Sequence, residues 1–190
     1  MAGRRASAGL ALAAVALSAA GCGTGGTTTV TSTVTRTVTT TRTVTQSTAP
    51  ATPCTGTELT GAFKVVAGSG GAGQISYNLT LTNASQDTCY VSGLPAAVLL
   101  DTDGTPLPTK VDATERSFQR VLIGPGDTAH ANARFSPSVP GPGDSQSGRC
   151  QPKAYTLQVT PDGGGAVNAV ITPPTSVCES GTLNFDYFSG

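Results

Sequence analysis

The chain contains the segment Ile75-Ser76-Tyr77-Asn78-Leu79-Thr80-Leu81-Thr82, in which apolar and polar side chains alternate strictly. Successive side chains of a β-strand point to opposite faces of the sheet, so this alternation predicts a strand with one buried and one exposed face. A second segment, residues 128–135, alternates in the same way, with alanines and Phe135 on its apolar side. Both segments are typical of half-buried antiparallel strands.

Shorter segments of the same kind follow in both directions from these two. They cover residues 59–66, 97–100, 118–123, 155–159, 167–171 and 183–188. We expect the last of them to form an edge strand at the carboxy-terminal end of the domain. No segment after Pro53 has the periodicity of a helix.

Turn residues separate the predicted strands. Asp103-Gly104 favours a tight hairpin, and Gly124-Pro125-Gly126-Asp127 favours a turn with proline at its second position. Residues 136–148 contain three prolines and three glycines and are predicted to be a loop. Because no helix is predicted to connect parallel strands, we predict an all-β, antiparallel, immunoglobulin-like β-sandwich of about seven to nine strands over residues 54–190. A closed barrel is the alternative.

The amino terminus has the pattern of a lipoprotein signal peptide over residues 1–21. Arg4 and Arg5 precede a short apolar run, residues 8–17, which is shorter than the ~20 residues that span a membrane. The small residues that follow, Ala19-Ala20-Gly21-Cys22, resemble a bacterial lipobox, although Leu is commoner where Ala19 stands. We therefore expect lipid attachment at Cys22, which anchors the mature chain to the membrane. The alternative is an ordinary secretory peptide and a secreted protein.

Residues 22–53 are predicted to form a disordered, Thr/Pro-rich stalk. Every odd-numbered residue from Thr27 to Thr45 is Thr, and prolines follow at Pro50 and Pro53. A segment with so few large apolar side chains cannot build a core of its own, and Thr with Pro is the composition of glycosylated stalks. Pairing of this segment between copies of the chain is the alternative, so the oligomeric state stays open.

The composition excludes several classes of function. The whole chain has 11 basic and 11 acidic residues, but the part after Cys54 has 7 basic against 11 acidic residues and no basic cluster. Nucleic-acid binding requires such a cluster, so we expect none. With a single histidine, His130, and no Trp, the chain also lacks the usual groups of catalytic, cofactor and metal sites, and we expect no such site.

Apart from Cys22 the chain has four cysteines: Cys54, Cys89, Cys150 and Cys178. An even number in an exported chain favours two disulfides, and four cysteines allow three pairings. We favour Cys54–Cys89 and Cys150–Cys178, because each closes a local loop. A cysteine-dependent wall transpeptidase would instead need one of these residues as a free thiolate.

Three further motifs have an ordinary structural interpretation. Residues 68–73 spell G-x-G-x-x-G, but a strand follows where a dinucleotide site needs a helix, so we predict a hairpin loop. Residues 101–104 begin like a calcium loop but place Gly too early, so we predict a turn. The polar face with Asn78, Thr80, His130 and Arg134 is either a contact surface or simply solvated, and we assign no site to it.

Several of these motifs, taken in order, resemble the actinobacterial domain of unknown function 4232. They are Gly73-Gln74, Leu79-Thr80-Leu81-Thr82-Asn83, Cys89, Gly93-Leu94-Pro95, Val98-Leu99-Leu100-Asp101-Thr102-Asp103-Gly104, Gly124-Pro125-Gly126 and Cys150. The resemblance covers about residues 54–178. It implies an exported protein, often a lipoprotein, with a β-sandwich fold. It implies no activity, and an aromatic residue that is frequent in the family is replaced here by Leu94.

Together these observations predict a non-enzymatic domain held outside the cytoplasmic membrane by lipid at Cys22. We expect it to act as a binding or structural module of the cell envelope, with an envelope protein or a wall polymer as its partner. The alternative is an envelope enzyme, or an accessory to one, that acts on cell-wall polymers.

Overall fold

The structure is a computed structural model that describes residues 51–114 and 119–190. The described residues form eleven strands and one short helical turn, α1 (Cys178–Gly181). The strands are β1 (Thr52–Pro53), β2 (Leu59–Val65), β3 (Ile75–Asn83), β4 (Cys89–Ser92), β5 (Ala96–Leu100), β6 (Lys110–Ala113), β7 (Arg120–Ile123), β8 (Thr128–Phe135), β9 (Lys153–Thr160), β10 (Val167–Ser176) and β11 (Thr182–Phe185). Nowhere in this described part is there a helix with the length and apolarity to span a membrane.

The strands form two sheets. The larger has the order β5-β9-β10-β2-β3-β8-β11-β6, and the smaller has the order β1-β4-β7. The segment before β6 returns to β5, where Leu107 donates its N–H to the carbonyl oxygen of Leu99 at 2.8 Å. The larger sheet is therefore nearly closed. The predicted all-β sandwich is confirmed, in a form that approaches the barrel alternative.

Three strand pairs correct the prediction of antiparallel pairing throughout. β1 with β4, β2 with β10, and β6 with β11 are parallel. Parallel neighbours need a long connection, which a helix commonly supplies, but here other strands supply it: seven strands lie between β2 and β10 in the chain. The prediction was wrong because it considered only connections between consecutive elements.

Two other differences concern the position of the last strand and the number of strands, which is eleven in the described residues instead of about seven to nine. β11 is not an edge strand, since it lies between β8 and β6, and β6 forms the edge. The sequence analysis missed β1, β4 and β6, which have two, four and four residues and are too short for a period to be recognised. The start of the strand predicted over residues 118–123 lies outside the described residues, and β7 covers its remainder.

The core follows from the alternation. The odd-numbered side chains of β8 and those of β3 from Tyr77 onward are buried, among them Phe135. Together with Phe63 of β2 and Phe185 of β11, Tyr77 and Phe135 form a row of tilted rings whose centroids lie 5.2–6.0 Å apart. Such rings contribute both buried apolar area and favourable ring contacts. The even-numbered side chains therefore face outward from the larger sheet.

The predicted turns are confirmed. Residues 68–73 lie in the hairpin that joins β2 to β3. At residues 101–104 the N–H of Gly104 donates to the carbonyl oxygen of Asp101 at 3.2 Å. Gly104 has φ +80, a conformation that glycine adopts without steric cost.

Candidate functional site

The outward face of β3 and β8 brings together the polar residues singled out in the sequence. Thr80 lies opposite His130, Asn78 opposite Asn132, and Ser76 opposite Arg134. The strand register thus collects amide, hydroxyl, imidazole and guanidinium groups on one surface. We call this surface, with its continuation onto β11 at Asn184, the polar face.

Hydrogen bonds within the polar face hold His130 in place. Its Nε2 lies 2.9 Å from the hydroxyl of Thr128, and its Nδ1 lies 3.2 Å from the hydroxyl of Thr80. Asn78 donates its side-chain N–H to the side-chain oxygen of Asn132 at 2.9 Å. No carboxylate among the described residues contacts the imidazole. The ring therefore lacks the acidic partner that orients the base in a Ser-His-Asp triad.

A shallow cavity of about 390 Å³ opens at one end of the polar face. It is lined by Val66, Ser69, Ser76, Thr114, Asn132, Arg134, Asn184 and Asp186. Asn184 donates its amide N–H to the main-chain oxygen of Arg134 at 3.3 Å, and the hydroxyl of Thr114 donates to Asp186. The side chains around it include one cation, one carboxylate and several amides and hydroxyls. Such a set suits a polar ligand that carries both charges or many hydroxyl groups.

The four cysteines of the domain form two disulfides, Cys54–Cys89 and Cys150–Cys178, which is the pairing that the sequence favours. The first joins the end of β1 to β4, and the second joins the segment before β9 to α1. Bonded sulfurs are not available as nucleophilic thiolates. Cys22, the predicted signal peptide of residues 1–21 and nearly all of the predicted stalk lie outside the described residues.

Asp144, in the segment between β8 and β9, has a role that was not predicted from the sequence. Only 9% of its surface is exposed, and its carboxylate accepts four hydrogen bonds. The donors are the N–H groups of Gly141 (2.8 Å), Ser180 (2.9 Å) and Glu179 and the side-chain amide of Gln151 (2.8 Å). These hydrogen bonds hold the pKa of this carboxyl well below its ordinary value. The largest contribution comes from the Gly141 N–H and the next largest from Gln151, and together the bonds outweigh the effect of burial, which raises the pKa.

The carboxylate of Asp144 supports a strained turn. Glu179 and Ser180 have φ values of 56 and 55, and Gly181 follows with φ +78. The left-handed conformation costs about 1–2 kcal/mol for each non-glycine residue. Two N–H groups of this turn donate hydrogen bonds to the carboxylate of Asp144, and these bonds offset part of that cost.

Asp144 also lies within 4.8 Å of the sulfurs of Cys150 and Cys178, the spacing of a small metal site. Those two sulfurs are bonded to each other, so they are not thiolate ligands in this structure. The sequence did contain one signal for Asp144: residues 141–144 repeat the Gly-Pro-Gly-Asp of residues 124–127. The repeat indicates a turn but does not indicate that its Asp is buried.

A family model described as Domain of unknown function (DUF4232) matches residues 54–189. The match includes both disulfides, the whole polar face and every strand from β2 to β11. It confirms the resemblance seen in the motifs and extends it beyond residue 178 to the last strand. No curated protein and no solved structure shows significant similarity to the chain.

Proposed function

The chain belongs to the DUF4232 family of domains of unknown function, and on that premise we propose that it is a lipid-anchored binding protein of the cell envelope. In this proposal, lipid at Cys22 attaches the chain to the extracytoplasmic face of the membrane, and residues 22–53 act as a spacer. The β-sandwich then presents the polar face to a polar partner and catalyses no reaction. The partner is an envelope protein or a wall polymer.

The observation that carries the binding role is the cavity on the polar face, where Arg134 and Asp186 line the same surface. A ligand with charged or hydroxyl groups could form hydrogen bonds with the donors and acceptors that line this cavity. The envelope location is supported by the two disulfides, because disulfides form and persist in oxidising compartments. It is also supported by the lipobox-like residues Ala19-Ala20-Gly21-Cys22.

The anchor is tested by the substitution Cys22→Ala. Alanine has no sulfur that can carry an acyl chain, and lasting attachment to a membrane requires two such chains. We therefore expect the protein to leave the membrane fraction and to appear in the soluble extracytoplasmic fraction. Ser18→Ala, which lies outside the lipobox-like residues, serves as the control and should stay with the membrane. Equal membrane recovery of both variants would contradict the anchor.

The binding role is tested by crosslinking in intact cells, followed by capture of the protein and mass spectrometry of what is attached. We expect one partner, protein or glycan, to be captured by the original chain and lost in Arg134→Gln. Arg120→Gln is the matched control, since Arg120 is exposed, lies on the smaller sheet and lines neither described cavity. Capture that is unaffected by Arg134→Gln would place the contact elsewhere.

The non-catalytic part of the proposal needs its own measurement. Purified protein incubated with soluble wall fragments should leave their mass spectrum unchanged. New cleavage or transfer products that increase with protein concentration would instead support the enzyme alternative.

A further inference from the structure

A second cavity, of about 410 Å³, lies on another part of the domain. It is formed by the segment after β8, the segment before β9 and the last residues of β10. Its lining residues are Pro137, Ser138, Gly148, Arg149, Cys150, Lys153, Pro174, Thr175 and Ser176. None of these residues belongs to the polar face, and none of them lines the first cavity.

The charge of this cavity is opposite to that of its domain. Arg149 and Lys153 both line it, and none of the described acidic residues does. The part of the chain after Cys54 has 7 basic against 11 acidic residues, so two of its seven cations share one small surface. Two like charges on one surface repel each other, and an anion between them would relieve that repulsion.

The polar groups of the two cations are unused within the described part of the chain. The one ion pair found there joins Lys110 to Asp112, and neither Arg149 nor Lys153 donates a side-chain hydrogen bond to a described residue. The main-chain N–H groups of Gly148 and Arg149 likewise donate to no described acceptor. Residues that line the cavity thus carry two cations and two main-chain N–H groups without a described acceptor, and an oxyanion accepts from donors of both kinds.

The carboxylate of Asp144 is not part of the lining, but it lies within 4.8 Å of both sulfurs of the disulfide that the lining residue Cys150 forms. Its two oxygens already accept four N–H donors, so it does not compete for the side chains of Arg149 and Lys153. These four neutral donors stabilise the ionised carboxylate, so its negative charge remains. The disulfide and Asp144 thus fix the segment that carries Arg149 without forming a hydrogen bond to the side chain of Arg149 or Lys153.

We propose that this second cavity binds a phosphate group. Arg149 supplies a planar guanidinium that can donate two parallel hydrogen bonds to phosphate oxygens, and Lys153 supplies a second, compact charge. A tetrahedral phosphate has enough acceptor oxygens for both cations and for the free N–H groups of the segment, whereas a carboxylate has only two oxygens. The group belongs either to free phosphate or to the phosphodiester of an envelope polymer or lipid headgroup. This site is independent of the ligand of the polar face.

The test is equilibrium dialysis of the full chain in a maltoside detergent against radiolabelled inorganic phosphate, with glycerophosphoglycerol as a competing phosphodiester. Arg149→Gln and Lys153→Gln each remove one cation from an exposed position, and Lys64→Gln removes one cation from outside both cavities. Equal thermal unfolding midpoints would show that all three variants fold. Amide chemical shifts recorded during the titration then locate the bound anion.

We expect saturable binding of one phosphate, with the largest shifts at Gly148 and Arg149. Loss of a charged hydrogen-bonding partner should weaken binding about tenfold in each cavity variant and leave Lys64→Gln unchanged. Stronger binding of the phosphodiester than of phosphate would assign the group to a polymer or a headgroup, and the reverse would assign it to free phosphate. Absence of binding to both, or equal binding by all variants, would overturn the proposal.

Discussion

The tetrapeptide Gly-Pro-Gly-Asp occurs at residues 124–127 and again at residues 141–144, and the two copies form the same turn in different surroundings. In each copy the Asp N–H donates to the first glycine's carbonyl oxygen, at 3.0 and 3.2 Å. The first glycine's N–H in turn donates to the Asp carboxylate, at 3.1 and 2.8 Å.

The two copies differ in what else contacts the aspartate. Asp127 is exposed in the connection between β7 and β8, whereas Asp144 is buried and accepts three further hydrogen bonds from Gln151, Glu179 and Ser180. The comparison teaches that four residues are enough to specify a turn but not the role of its aspartate. That role is set by segments 7 to 36 residues away along the chain.

The largest loss of stability near either turn is expected from removing the disulfide beside Asp144. The double substitution Cys150→Ser/Cys178→Ser should lower the free energy of unfolding by about 3–4 kcal/mol, since the bond closes a loop between residues 28 positions apart. Urea unfolding measures the change. Cys54→Ser/Cys89→Ser, with a separation of 35, is the matched control and should lose a similar amount. If the Cys150→Ser/Cys178→Ser variant loses less than about 1 kcal/mol while the control loses the expected amount, the hydrogen bonds of Asp144 hold the turn at residues 179–181 without the disulfide.

The next largest effect is expected from Asp144→Asn. Asparagine has a single acceptor oxygen and two donors of its own, so the N–H groups of Glu179 and Ser180 cannot both keep their partner. We expect a lower unfolding midpoint and faster amide hydrogen exchange at these two residues. Unchanged exchange there would mean that the left-handed turn does not depend on Asp144.

The effect of Asp144→Asn should also depend on pH. The pKa of Asp144 is lowered in the folded chain, so its stabilisation is complete above the ordinary aspartate pKa of ~3.9 and is lost as the pH falls below it towards the folded-state value. The stability difference between the original chain and the variant should therefore be constant from pH 7 to about pH 5 and shrink below about pH 4. A difference that grows on acidification would contradict this assignment.

The glycines at the third position of the two turns give a smaller effect. Gly126 and Gly143 have φ +80 and +87, so alanine at either position should cost about 1–2 kcal/mol. A methyl group at Gly126 would meet nothing within 4 Å, but at Gly143 it would lie 2.7 Å from the Ser180 hydroxyl. Urea unfolding should therefore show a larger loss for Gly143→Ala than for Gly126→Ala. Equal losses would mean that Ser180 moves away freely.

The smallest effect is expected from Asp127→Asn. The side chain is exposed, and asparagine can still accept the N–H of Gly124 through its amide oxygen. The free energy of unfolding should change by less than about 0.5 kcal/mol, as is usual for surface positions. A change as large as that of Asp144→Asn would remove the contrast between the two turns.

Much of the fold could be predicted because its signals are local. The alternation in β3 and β8 identified the strands, their buried faces and the outward position of Asn78, Thr80, His130 and Arg134. The site residues Asn184 and Asp186 could not be assigned to the same cavity in this way. They reach it because β11 pairs with β8, from which it is separated by two other strands in the chain.

The sequence by itself determined where the longer strands lie, which side of β3 and β8 is buried, where the predicted turns fall and which cysteine pairing is favoured. These properties follow from the two-residue period of a strand and from the backbone preferences of Gly, Pro and Asp, both of which act over a few residues. Only the tertiary structure decided the parallel pairs, the internal position of β11, the burial of Asp144 and the sharing of one cavity by Arg149 and Lys153. Those features depend on which distant segments pack together, and that choice is made by the summed burial and hydrogen bonding of the whole domain.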